Sequence, residues 1–176
     1  MKYYATKICD KGTIAVDDTL LVKDALATAG SRILDGFKPL FSAEAVVRLE
    51  EKGYAVSGKA HTGEFGLDLV GEFSYYAPQE EKLEGAAAAL VKNGDVKAAL
   101  GVDMNGSTRR GDVLSGVDFL KPTYGTVSRY GTIPAVCSGE AVSVLSKTAE
   151  DCRKALSKGN YFGTMLVKMG YADSLL

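Results

Sequence analysis

The residues best able to do chemistry gather in one short stretch, Met104-Asn105-Gly106-Ser107-Thr108-Arg109-Arg110-Gly111-Asp112. A run with strand character, residues 95–103, feeds directly into it, and a hydroxyl in a tight glycine turn after a strand lies where α/β folds place ligands. Ser107 can act there as a nucleophile only if a base takes its proton. The competing role is a serine that bonds nearby backbone. Lys23 stands at the end of the apolar run 19–24. A lysine has a reference pKa of about 10.4 and stays charged at neutral pH unless burial or a neighbouring charge lowers it. Lys23 next to Asp24 can form an ion pair. Arg109 and Arg110 could hold a carboxylate bidentately, or form a solvated pair beside Asp112.

Other chemistries find little support. His61 is the only histidine, and Cys9, Cys137 and Cys152 form no CxxC pair. Neither a zinc site nor a disulfide framework is expected, and no cofactor is implied. Cys137 and Cys152 are expected to be packing residues. A net charge of −1 gives no general attraction to nucleic acid or anionic lipid. No run approaches the roughly 20 apolar residues of a membrane span, and the N-terminus has no apolar signal core, so a cytoplasmic location is expected.

The 176 residues suit a single domain over 1–176. Glycine makes up 20 of them, spread along the chain, which predicts many tight turns. Alternation predicts strands at 2–9, 19–24, 54–60 and 95–103. Helices are expected at 43–52, capped by Ser42 and stopped by Gly53, and at 80–92, closed by Asn93-Gly94. Another is expected at 149–158, capped by Thr148. Residues 116–130 read as a strand followed by a long loop, and the tail after 160 as a docking helix. Alternating strands and helices predict an α/β fold, a mixed or mostly parallel sheet flanked by helices.

Four ordered blocks then carry a resemblance. LKPTYGTVSRYG at 120–131 with SKTAEDCRKAL at 146–156 is very similar to the amidase signature run LKPTYGRVSRYG and its downstream helix. LVKDALATAGSRILDGF at 21–37 resembles the family's IKDN and ASKILEGF words, VSGKAHTGEF at 56–65 resembles IVGKTNMDEF, and ALGVDMNGSTRRGD at 99–112 resembles LGSDTGGSIRQPA. The words are most like those of the family's amidotransferase A-subunit branch.

The resemblance implies a shortened amidase signature fold, lacking the family's C-terminal region. Family chemistry hydrolyses an amide through an acyl-enzyme, using a lysine, a bridging serine and a nucleophilic serine. By position Lys23 matches the base and Ser107 the nucleophile, while Met104, Asn105, Gly106 and Arg109 fall in the substrate-binding turn. The bridging serine's position holds Leu83, or Glu84 one residue on. A leucine cannot relay a proton, since it neither donates nor accepts a hydrogen bond. The expectation is therefore a degenerate amidase acting as a binding or assembly module. The alternative is an active minimal amidase that hydrolyses glutamine or another amide through a Ser107–Lys23 dyad. Expected partners are a small amide or amino acid and a second copy or partner chain covering a sheet edge, with no direct nucleic acid or membrane contact.

Overall fold

The computed structural model describes residues 3–67, 74–76 and 85–159. Six strands form one mixed sheet: β1 (Tyr4–Lys7), β2 (Ile14–Asp17), β3 (Val56–Ala60), β4 (Ala98–Asp103), β5 (Asp118–Leu120) and β6 (Ala141–Ser146). Their spatial order is β1-β3-β2-β4-β6-β5. The centre is parallel, with β2 between β3 and β4, whereas β1, β6 and β5 join antiparallel. The α/β expectation with a mixed sheet holds.

Helices cover both faces, because β2, β3, β4 and β6 are buried along their whole length and have no wet side. On one face α1 (Glu44–Glu51) and α4 (Ala149–Gly159) close a core in which Val46, Leu49, Ala155 and Leu156 meet Ile14, Val16, Leu100 and Val144. On the other, α2 (Ala86–Asn93) lays Ala86, Ala87, Ala88, Leu90 and Val91 against Ala15, Ala60, Ala99 and Leu145. The small side chains on both sides of that contact bring helix and sheet close together. A fourth helix, α3 (Ser107–Ser115), packs against α2 and β4 on this same face.

Several sequence expectations need correction. The run 19–24 is no strand. Leu20 and Val22 are buried core residues, but the segment is irregular, with the Leu21 N–H donating to Gly131 O and the Asp24 N–H to Pro39 O. The strand lies earlier, at β2. Ser42 does not cap α1, since its Oγ accepts the Lys23 backbone N–H at 2.9 Å, and Ala43 holds the N-cap position. The middle helix starts after Gly85, whose left-handed backbone (φ 63°) forms its N-cap. The polar stretch after β4 turns only over residues 104–106 and is helical from Ser107 on. β6 was not anticipated. Cys137 is exposed, while Cys152 is buried as expected. Residues 77–84 and the tail from 160, including the expected docking helix, lie outside the described residues.

Gly131 shows why glycine recurs in this chain. Its φ is +83°, and a Cβ there would stand 2.5 Å from Ala43 Cα at the start of α1. Gly131→Ala is expected to lower stability by about 2 kcal/mol or more, adding a backbone clash to a left-handed penalty of about 1–2 kcal/mol. Urea unfolding measures it, and a loss below about 0.5 kcal/mol would contradict the packing of that loop against α1.

Candidate functional site

Parallel strands point their C-terminal ends to one edge of the sheet, and ligands in open α/β sheets sit at that edge. Here β2, β3 and β4 deliver Asp17, Ala60 and Asp103 to it. The chain leaves β4 through Met104-Asn105-Gly106 and enters α3 at Ser107. Gly106 is the turn residue with positive φ, +97°. Asn105 avoids the left-handed region and binds the turn down instead. Its Nδ2 donates to Leu67 O at 3.1 Å, and its Oδ1 accepts the Ser107 N–H at 3.1 Å. That second bond satisfies one of the free N–H groups that open a helix.

The Ser107 hydroxyl donates to Gly66 O at 2.9 Å. Among the described residues no lysine, histidine or carboxylate side chain is bonded to it. Met104 is nearly buried and packs its methyl on Gly66. The Arg109 Nε pairs with Asp103 Oδ2 at 2.8 Å, with the side chain about half exposed. Lys121 pairs with the same carboxylate at 3.0 Å, and its Nζ also donates to Met104 O and Gly139 O at 3.4 Å. The buried Asp103 thus ties the serine turn to the loop beginning at Lys121, so this loop braces the turn.

Lys23 follows β2 by six residues, its side chain is exposed, and its backbone bonds the loop before α1. The lysine buried at the edge is Lys59. Its Nζ sits 2.9 Å from Asp18 Oδ1 and donates to Asp18 O at 3.1 Å. Burial pushes its pKa down, and Asp18 opposes that. The Asp18 carboxylate also accepts the Thr28 N–H at 3.0 Å and the Thr28 hydroxyl. His61, half-buried just past β3, is likewise pushed down by burial and held up by Asp18.

Asp17 is nine-tenths buried. Its Oδ1 accepts both the N–H and the hydroxyl of Thr19 at 2.8 Å. Burial raises its pKa to about 6, with the Thr19 bonds opposing the rise. Sequence reasoning missed Asp17, Asp18, Lys59 and Asp103, whereas the loop of Lys121 was expected to support the serine turn. The available signal was two adjacent acids directly after Ile-Ala-Val, a pattern that ends a buried parallel strand as readily as it opens a loop.

The mixed α/β sheet with its flanking helices matches solved amidase structures over part of their length. A profile of the Amidase family matches residues 13–159, and the chain belongs to that family. The A subunit of glutamyl-tRNA(Gln) amidotransferase from Halobacterium salinarum is 36% identical over 156 residues, covering 84% of this chain and 37% of that protein. The crystal structure of the Thermotoga maritima protein of the same name superposes with a TM-score of 0.79 at 30% identity, covering 92% of this chain and 41% of that one. The peptide amidase of Stenotrophomonas maltophilia superposes with a TM-score of 0.74 at 26% identity, covering 84% of this chain and 33% of that one. The chain therefore spans about a third of the length of the curated relatives it matches. Among the described residues no helix is long and apolar enough to cross a membrane, and no cluster of three or more candidate ligands is placed to hold a metal.

Proposed function

We propose that this amidase-family chain binds a small ligand at the Ser107 edge, or serves in an assembly, without hydrolysing amides. One observation carries the reading: the Ser107 hydroxyl donates to the Gly66 carbonyl, and among the described residues no lysine side chain is bonded to it. Lys23 is exposed, and Lys59 is paired with Asp18. A serine hydroxyl without a base is a weak nucleophile, and general-base assistance typically contributes about 10²- to 10⁴-fold. Leu83 or Glu84 at the bridging position, outside the described residues, supports the same reading. The outer edges of β1 and β5 pair with no other described strand. Open edges of this kind favour pairing with another chain, which supports the assembly role.

The test is ammonia release from glutamine, asparagine and simple aliphatic amides, together with labelling by a fluorophosphonate probe. Wild type and Ser107→Ala are expected to give the same background, and Ser107 to stay unlabelled. Turnover abolished by Ser107→Ala, or rapid labelling of Ser107, would establish an active Ser107 amidase in its place.

A further inference from the structure

Strand alternation decides which side chains face the serine helix. Side chains along β2 alternate between the faces, so Ile14 and Val16 enter the α1–α4 core while Ala15 enters the α2 core. Asp17 follows on the face of Ala15. Its partner on β3, Ala60, belongs to the same cluster. On β4, Leu100 faces α1 and α4, and Gly101 faces the other way. A Cβ on Gly101 would meet Thr108 Cγ2 at 3.0 Å, so the start of α3 lies over Gly101. The β2–β4 register pairs Val16 with Leu100, which sets Asp17 level with Gly101. Asp17 and the first turn of α3 therefore share one face of the sheet, at neighbouring positions. Lys59 pairs with Val16 and so starts from the opposite face.

The family word I-K-D-N can be laid over Val16-Asp17-Asp18-Thr19 as well as over Val22-Lys23-Asp24-Ala25. Only the first placement ends a central strand beside the serine helix. It sets an aspartate where the family has its lysine.

Buried ionised groups are ordinarily paired. Asp103 has Arg109 and Lys121, Asp18 has Lys59, and Glu140 has Arg129. Asp17 has no cation among the described residues, and its Oδ2 has no hydrogen-bond partner there. The charges that act on it are Asp18, which repels its ionised form, and Lys59, already committed to Asp18. His61 interacts with Asp18, and Arg109 is held by Asp103. Among the described residues no group on any packed element neutralises Asp17. A partner for its ionised form is to be sought outside them.

We propose that Asp17, not Lys23, occupies the position facing Ser107 from which the family's base acts, and that this charge-inverted site takes a ligand bearing a primary ammonium group. An ammonium matches one free carboxylate oxygen better than a divalent cation, which wants several oxygen ligands. The assignment rests on the ligand-site reading of the Ser107 edge.

The probe is methylammonium chloride, added to the full chain at fixed ionic strength while NMR follows the Asp17 carboxyl carbon and the amides of Gly101 and Thr108. A saturable change is expected at pH 7.5. Affinity should be about tenfold weaker at pH 5, where a carboxyl that titrates near 6 is roughly one-tenth ionised. Asp17→Asn should remove the response while its amide spectrum stays that of the folded protein. An equal response to tetramethylammonium, which cannot donate a hydrogen bond, overturns the assignment. So does a stronger response to magnesium chloride, an undiminished response in Asp17→Asn, or none in wild type. Probe labelling of Ser107 is read separately: labelling defeats the inactive reading, whereas a failed titration with Ser107 unlabelled defeats only the ammonium ligand.

Discussion

Lys59→Met is expected to destabilise the protein by about 3–5 kcal/mol, the range for removing one partner of a buried ion pair. The methionine matches the lysine stem in volume, so the loss reports charge more than packing. Lys59 is fully buried, and its Nζ serves both the carboxylate and the carbonyl of Asp18. Without it Asp18 keeps its bonds from Thr28 but becomes an uncompensated charge. The double substitution Lys59→Met with Asp18→Asn should recover much of the loss, because asparagine carries no charge and can still accept from Thr28. Urea unfolding of the three proteins checks both values. A single-variant loss below about 1 kcal/mol would show that water reaches the pair.

The consequence extends past stability. Asp18 fixes the start of the chain leaving β2, and Thr28, which it holds, receives the Gly30 N–H at 3.2 Å. Gly30 in turn approaches the segment after β3, where a Cβ would stand 2.6 Å from Thr62 O. That segment runs on to Gly66, whose carbonyl accepts the Ser107 proton. One buried ion pair thus anchors the chain that presents Ser107's acceptor.

The helices at the two ends of the described chain were legible because their signals are local. In α4 the Thr148 hydroxyl accepts the Asp151 N–H at 3.2 Å, as a Thr followed by Ala-Glu-Asp announces. In α1 the buried Ala45, Val46 and Leu49 recur at helical spacing. β2 was illegible because it is four residues long and its last member is an aspartate. The stronger apolar run Leu20-Leu21-Val22 drew the strand assignment, yet hydrophobicity there signals burial without pairing. β6 hid for the opposite reason, since its Ser143 and Ser146 look like loop residues but are fully buried and bond to backbone. The site suffered from the same slip. A strand at 19–24 puts Lys23 at a strand end and leaves the acids that end β2 in a loop. Ser107 was found because its glycine turn carries its own signal, whereas a buried carboxylate is defined by what surrounds it.

Asp17→Asn is expected to stabilise the protein at pH 7, although it substitutes a residue at the candidate site. Burial raises the carboxyl from 3.8 to about 6, so between those values the folded state binds more protons than the unfolded chain. Stability from this group is present below pH 3.8 and is lost as pH rises through about 6. At about 1.4 kcal/mol per pKa unit, the ionised side chain costs the fold roughly 3 kcal/mol at neutral pH. Asparagine keeps an oxygen for Thr19 and carries no charge, so a gain of about 1–3 kcal/mol at pH 7 should follow. Near pH 3.5, where the aspartate is protonated in the folded state, the two proteins should be nearly equal. Thermal unfolding from pH 3.5 to 7.5 should show this group's decline in wild type and its absence in the variant. A variant less stable than wild type at pH 7 would mean that the ionised carboxylate has a counter-charge within the fold. An aspartate kept at a stability cost, on the face of the serine helix, is what ligand selection predicts, because a residue retained for folding alone would be better replaced.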